Sequence, residues 1–417
     1  MLAAMPPVPD SVAPGPGTPD RGRSDVCPGA LRLHTADDGS LARIRIPGGL
    51  LTNSQAVVLA DAAEELGDGA LETTSRGNVQ LRGLPSDSGG ELGRRLRDAG
   101  LLPSKTHERV RNIVASPAAG LDGLGHADVQ DWVRELDRRL CASESAARLS
   151  GKFLFALDDG RGDVAALDAD VTLIATAGGG ALLRLGRAAT ARPVPPGGAA
   201  EHAVRAAEEF LEMLRTSGAK AWHLREVPGL LDPGAEPLPA LPAATLAPGA
   251  LPGGLSVGLR FGRVSAARWR RLAAASAGEL RLTPWRGIVL PGAPVDRLPE
   301  LAAAGFRTAP GSVWERASAC TGLPGCAKSR ADVRDDAARA LDAAQTPAAA
   351  GPLPVHWSGC ERRCGHPAGE WVDVLATGQG YRVTRVGPGV EAPGAGVSVD
   401  VSTEQMAEAV AEARRTK

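Results

Sequence analysis

The sequence predicts an α+β protein built by duplication, each half a small α+β unit followed by a longer α/β segment. Two observations predict it. The order strand, helix, two strands, helix is legible after residue 30 and again after residue 254, and Thr73-Thr74-Ser75-Arg76-Gly77 matches Thr283-Pro284-Trp285-Arg286-Gly287. A third observation sets the halves apart: four of the six cysteines lie between residues 320 and 364, whereas Cys27 and Cys141 are solitary.

In the first unit, Leu31–His34 and Leu41–Ile46 read as strands joined by an Asp-Asp-Gly-Ser turn. Thr52 has the chemistry of a helix N-cap, for a helix running to about Leu66 and ended by Gly67. Strands follow at Ala70–Thr74 and Asn78–Arg82, then a helix near Gly90–Ala99. The second unit offers a strand at Ser256–Phe261, a helix at Ser265–Ala275, strands at Glu279–Thr283 and Ile288–Leu290, and a helix near Val295–Ala304. The longer segments add a helix over Asp128–Leu149, a strand at Lys152–Leu157 and a helix near Ala200–Arg215 in the first half. In the second half they add a helix at Ala331–Ala344, strands at Leu353–Trp357, Trp371–Thr377 and Tyr381–Val386, and a closing helix capped by Ser402. The expected division is a disordered tail (1–28), a first unit (29–105), a first α/β domain (106–227), a Pro/Gly-rich linker (228–254), a second unit (255–310) and a cysteine-bearing α/β domain (311–417).

With a formal net charge of −1, nothing pulls the chain as a whole toward nucleic acid or an anionic membrane. No apolar run is long enough to span a bilayer, and the first 28 residues lack the basic start and apolar stretch of a secretory signal. A cytoplasmic protein is expected, and in that compartment thiols stay reduced.

The clustered cysteines read C-x5-C, a gap of 33 residues, then C-x3-C: Cys320, Cys326, Cys360 and Cys364. Four thiolates on two short loops suit an iron–sulfur cubane, in which each iron takes one external sulfur. The glycines Gly322, Gly325, Gly359 and Gly365 permit the tight turns this needs. A four-cysteine zinc site also stays open, since the C-x3-C arm has zinc spacing and the C-x5-C arm does not. His356 and His366 flank the second pair and read as packed, hydrogen-bonded side chains more readily than as ligands.

Gln80 and Arg82 are two apart on a strand and so share a face, with Arg76 in the preceding turn. Arg111 and Lys152 follow near later strands. If these strands meet, Arg76, Arg82, Arg111 and Lys152 form a basic pocket for a polycarboxylate. In a chain with about one arginine per ten residues, most of these side chains read more readily as solvated surface charges.

Together these segments resemble the nitrite/sulfite reductase superfamily over most of the chain after the tail. The family's Thr-x-Arg-x-x-x-Gln-x-(Arg/His)-Gly stretch falls on Thr74, Arg76, Gln80, Arg82 and Gly83, its Arg-Asn pair on Arg111-Asn112 and its Lys-Phe strand on Lys152-Phe153. The resemblance implies two repeats of a ferredoxin-like half-domain plus an α/β domain, related by a pseudo-twofold. It further implies a [4Fe–4S] cluster on Cys320, Cys326, Cys360 and Cys364, with Cys364 nearest a tetrapyrrole. Gln80, Arg76, Arg82, Arg111 and Lys152 would bind that tetrapyrrole, and Arg76, Arg111 and Lys152 would serve the chemistry. Where sulfite reductases carry Lys-Phe-Lys, this chain has Lys152-Phe153-Leu154, one cation fewer for a small oxyanion. That departure is similar to the family's cobalamin-pathway branch. There the tetrapyrrole is the substrate, precorrin-3A, converted to a hydroxy-lactone with dioxygen and a reduced, NADH-derived electron donor, with a mononuclear iron as a further expected option. The competing expectations are a nitrite or sulfite reductase with bound siroheme, and a non-catalytic zinc or iron–sulfur protein.

Overall fold

The computed structural model describes residues 25, 27–241, 245–344, 351–387 and 398–415. Most of the tail predicted over 1–28 therefore lies outside the described residues. Its last part is built into the fold: Asp25 accepts hydrogen bonds from the Ser150 hydroxyl (3.0 Å) and the Gly151 N–H (2.7 Å), and Cys27 is buried.

Eight α-helices run through these residues: α1 (Asn53–Leu66), α2 (Gly89–Asp98), α3 (Gln130–Ala142), α4 (Ala199–Ser217), α5 (Ala266–Ala275), α6 (Leu298–Ala303), α7 (Val333–Ala343) and α8 (Met406–Arg414). Thr52 caps α1 in a reciprocal box with Gln55, and the Ser265 hydroxyl caps α5 by accepting the Arg268 N–H. The helix predicted over 128–149 stops at Ala142. The Ser143 hydroxyl takes the Ala146 N–H and is itself held by Glu208, so the chain turns into a short 3-10 segment instead of continuing. Likewise Lys152 and Phe153 lie in a turn closed on Ser150, and the strand begins only at Phe155. Ser402 does not cap α8; Gln405 occupies that position, and the Ser402 hydroxyl turns to Glu404.

The two small units each form a five-stranded sheet, and each sheet is completed by a strand from the other unit. The first runs His34–Ala36, Gly39–Ile44, Val79–Leu84, Ala70–Thr73 and finally Arg263–Ser265. The second runs Gly249–Leu251, Gly254–Gly258, Gly287–Pro291, Glu279–Leu282 and finally Leu50–Thr52. One face of the first sheet is apolar, with Ala42, Ile44, Leu71, Val79 and Leu81 in one core with Ala56, Leu59 and Ala60 of α1. α1 packs on α5, whose fully buried Trp269 donates to the Ala56 carbonyl at 2.9 Å. The stretch read as a linker, 228–254, supplies strands instead: Glu236–Pro237 extends one α/β sheet and Gly249–Leu251 edges the second half-domain sheet. Residues 242–244 of that stretch lie outside the described residues.

The α/β domains repeat one topology. Ile113–Ala115, Phe155–Asp158 and Val171–Ala175 are parallel and continue into antiparallel strands, as do Ala317–Ala319, Val355–Ser358 and Trp371–Ala376. The correspondence reaches single hydrogen bonds. Ser116 N–H donates to the Leu157 carbonyl and Cys320 N–H to that of Trp357, while Asp159 N–H reaches Ser116 Oγ and Gly359 N–H reaches Cys320 Sγ. The repeat inside the half-domains sits one residue away from the sequence match. Thr74 and Thr283 occupy equivalent turns, each accepting from the N–H four residues on (Asn78 and Gly287), so Arg286 corresponds to Gly77 and not to Arg76. Both have left-handed backbones, at φ 64° and 59°. Among the described residues, no helix is long and apolar enough to cross a membrane.

Candidate cysteine centre and buried basic face

The four clustered cysteines come from two loops that follow neighbouring parallel strands, Ala317–Ala319 and Val355–Ser358. All four are free thiols. Cys320 is buried at the end of its strand, where its sulfur accepts the Gly359 N–H at 3.2 Å; the other three are half-buried. Burial pushes the Cys320 and Cys364 thiols up, and other cysteines of the set raise each further. A tetrahedral zinc ion with bonds near 2.3 Å draws its sulfurs to about 3.8 Å from one another. No three of these four sulfurs lie within 4.8 Å of one another.

The loops are braced from behind. His356 is fully buried, and since a carbonyl only accepts, its Nε2 carries the proton donated to the Cys364 carbonyl at 3.1 Å. Nδ1 then accepts from the Ser318 hydroxyl at 2.8 Å. Burial, reinforced by Arg286 and His366, lowers the imidazole pKa to about 3, so the ring stays neutral. His366 is exposed and stacks on Trp371 at 5.2 Å. Arg363, between Cys360 and Cys364, is locked by Asp373 (2.6 Å) and Glu361 (2.7 Å).

Facing away from α1, the first half-domain sheet carries a row of polar residues, one per strand. Arg43, Gln80, Glu72 and Arg263 are cross-strand partners in register. Arg43 donates to Gln80 (2.9 Å), Gln80 to Glu72 (3.0 Å) and Arg263 to Glu72 (3.2 Å). Arg334 of α7 also donates to Glu72, and its Nε reaches the Cys320 carbonyl at 3.2 Å. Burial alone would raise the Glu72 carboxyl, but Arg334 holds it well below the usual carboxylate range.

Beside this row stand cations that sequence reasoning passed over. Arg43 and Arg45 are 3% and 4% exposed, and Arg76 is close enough for each to feel it. Among the described residues none of the three has a carboxylate within ion-pairing reach; they donate to Gln80 and to the carbonyls of Arg109, Gly151 and Lys152. Burial, and for Arg45 repulsion from Arg43, pushes their acidity up, to a pKa of about 10 for Arg43 and about 9 for Arg45. The Arg43 Nε–H is buried with no partner at all. Burying guanidinium groups without an ion-pair partner is expensive, and an anion brought to this face would lower that cost. Alternation of polar and apolar residues along 41–46 was the signal available in the sequence for Arg43 and Arg45.

The remaining predicted residues divide. Arg76 joins the cationic group through the Lys152 carbonyl (2.9 Å), and the Lys152 ammonium sits 4.0 Å above the Trp222 ring. Gln80 and Arg82 share the polar face. Arg82, however, is paired bidentately with Asp38 (2.8 and 2.7 Å) and donates to the Gly325 carbonyl (3.0 Å), so it clamps the Cys326 loop onto the half-domain. Asp37 adds a bond from the Ala327 N–H at 2.6 Å. Arg111 is taken by Asp137 of α3 (2.6 and 2.7 Å) and the Leu101 carbonyl, which sets it apart from the uncompensated group. Asn112 ties Asn78 (3.0 Å) to the Phe153 carbonyl (3.1 Å). Leu154 is buried with Val114, Ala156, Val164 and Ala169, and Trp285 packs on that cluster.

A groove of about 510 Å³ between α1 and α2 is lined by Ser54, Glu65 and Arg95 and lies away from all of these residues. Among the described residues, one trio of carboxylates, Asp158, Asp159 and Asp163, converges closely enough to hold an ion. Its oxygens already accept from Gly160, Gly162, Val164, Ala165, Ser116 and Arg161.

Fold and site together define a class: a duplicated α+β protein with a thiol centre in one repeat against a buried cationic sheet face in the other. The family described as "Nitrite/Sulfite reductase ferredoxin-like half domain" matches residues 34–99 and 252–304. A ferredoxin–nitrite reductase of Synechococcus elongatus is 30% identical over 383 residues, covering 78% of this chain and 74% of that protein. A precorrin-3B synthase of Sinorhizobium sp is 29% identical over 396 residues, covering 88% and 83%. The solved structure of Mycobacterium tuberculosis NirA protein shares the fold, with TM-score 0.63 and 22% identity over 88% of this chain and 79% of that one. The chain belongs to the nitrite/sulfite reductase superfamily.

Proposed function

We propose that the protein is an oxygen-dependent monooxygenase that converts precorrin-3A to its hydroxy-lactone, precorrin-3B, and that Cys320, Cys326, Cys360 and Cys364 hold a [4Fe–4S] cluster. The observation that carries this reading is Leu154. The resemblance implies a second lysine there in sulfite reductases, and here the position is apolar and packed against its neighbours. A small oxyanion would lose a stabilising charge as it is reduced, whereas a large polycarboxylated substrate needs charge at its rim. The match of most of both chains with the Sinorhizobium precorrin-3B synthase supports the same reading.

When bound, the cluster supplies single electrons from a reduced donor. The residues of the chain do the rest. Arg43, Arg45 and Arg76 offer N–H groups to the acetate and propionate carboxylates of the macrocycle, their mutual repulsion relieved when those anions arrive. Gln80, held between Arg43 and Glu72, presents a fixed amide beside them. Lys152, braced on Trp222, brings a cation to the edge of the same region. Leu154 and its apolar neighbours keep that edge dry. Overall, dioxygen takes up two electrons from the donor and two from the tetrapyrrole; one oxygen atom enters the product as hydroxyl and the other leaves as water. A cytoplasmic setting and an NADH-derived donor belong to this proposal.

The second reading, a siroheme-dependent nitrite or sulfite reductase, is favoured by the Synechococcus relative. The absorption spectrum of protein purified without oxygen separates the two. Broad iron–sulfur absorption without siroheme bands is expected; intense siroheme bands on the isolated protein would replace the first reading with the second.

A further inference from the structure

Glu72 is a carboxylate that the family motif does not include, yet three parts of the molecule meet on it. Gln80 belongs to its own sheet, Arg263 comes on the strand exchanged from the second half, and Arg334 opens α7 of the cysteine-bearing domain. Glu72 is 2% exposed, and the Arg334 side chain is 14% exposed. Arg334 is bifunctional: its Nη1 pairs with Glu72, and its Nε holds the backbone carbonyl of Cys320. Cys320 is also the most buried of the four thiols, and its loop has no ion pair of its own among the described residues. A hydrogen bond aimed at a ligand's backbone, from a charge fixed in a water-poor interior, acts on the group which that ligand binds more strongly than the same charge on the surface.

We infer that Glu72 is a positioning residue for the cysteine centre: acting through Arg334, it fixes the Cys320 carbonyl and sets the charge beside the cluster. The inference rests on the cluster reading above. In a pair of this kind the two charges act on the cluster with opposite sign. The Arg334 cation favours the reduced cluster and the Glu72 anion disfavours it, so removing one charge exposes the other. A purely structural ion pair would change stability and leave the redox equilibrium where it was.

The test is an EPR-monitored redox titration of the full-length protein with its cluster reconstituted anaerobically, comparing wild type with Glu72→Gln, Arg334→Gln and the double variant. Glu72→Gln is expected to favour the reduced cluster by about tenfold at a fixed potential, equivalent to about +59 mV for a one-electron couple, and Arg334→Gln to disfavour it by a similar factor. The double variant is expected to return near the wild-type value, and Glu72→Asp, which keeps the charge, to stay close to it. Unchanged potentials in both single variants, or shifts of the same sign, would overturn the inference. Should Glu72→Gln not fold, Arg334→Gln decides alone: a lowered potential supports the inference and an unchanged one overturns it. A wild-type protein that retains no iron and sulfide would instead overturn the cluster reading.

Discussion

At the scale of single residues, the basic face depends on side chains whose charge is not cancelled. Arg43 has a buried N–H with no acceptor and only a neutral amide as partner. A charge-assisted hydrogen bond to a carboxylate contributes about 1.5–3 kcal/mol. Arg43→Met, which keeps the apolar stem, should therefore weaken binding of uroporphyrin III by roughly 10- to 100-fold in a fluorescence titration. Its unfolding temperature should stay near that of the wild type, because no ion pair is broken. Asp163 offers a second residue-scale prediction. Burial first, and then the neighbouring Asp158 and Asp159, raise its pKa from 3.8 to about 7 against the pull of the Ser116 hydroxyl. The folded chain thus holds a proton that the unfolded chain releases near pH 4. This contribution to stability is present at the acid end and is lost as pH rises toward about 7. In urea unfolding between pH 4 and 8, Asp163→Asn should flatten that decline, which runs at up to about 1.4 kcal/mol per pH unit. Parallel profiles for variant and wild type would contradict the assignment.

At the scale of elements, the exchanged strands decide how the chain folds. Arg263–Ser265 closes the first half-domain sheet, and Leu50–Thr52 closes the second. Neither sheet is complete within its own half, and Trp269 of α5 is buried against α1 with its indole N–H on Ala56. Residues 25–241 produced alone should therefore lack cooperative unfolding by circular dichroism, and co-expression with 245–417 should restore it. A stably folded first half would show the exchange to be dispensable. Much of this level was legible in the sequence. The Thr52 cap, the helix opening at Ser265 and the strand at Tyr381–Val386 lie where local chemistry put them. What local chemistry does not carry is which strands pair across about 200 residues, so the exchange was not legible, and the stretch 228–254 looked like a linker although it supplies two edge strands. The same limit explains Arg82 and Arg111. Their type and spacing suit a ligand site, but Asp38 and Asp137, which neutralise them, are brought up only by the fold.

At the scale of the whole molecule, duplication supplies two equivalent places for each function, and the chain equips one of each. Residues equivalent to the row Arg43–Gln80–Glu72–Arg263 are Ser256, Val289, Arg281 and Leu50, and Arg281 is turned to Glu279 and to the carbonyls of Pro117 and Ala119. Only the first half-domain therefore carries the row of linked polar side chains. The thiol centre belongs to the second repeat, and at the corresponding turns of the first repeat Ser116 and the Asp158–Asp163 loop close the space with hydrogen bonds. The pseudo-twofold then sets the thiol centre of one repeat against the polar face of the other, with Arg82, Asp37 and Glu72 crossing between them. The cysteine spacing was legible in the sequence because all four cysteines lie within 45 residues. The cationic face was only half legible, since Arg43 and Arg45 acquire meaning from burial. The most direct test of the functional account is to add precorrin-3A and isotopically labelled dioxygen to the anaerobically purified, reduced holoprotein and to analyse the tetrapyrrole by mass spectrometry. The account predicts a hydroxy-lactone carrying one labelled oxygen atom; recovery of unchanged precorrin-3A from protein with its cluster intact would contradict it.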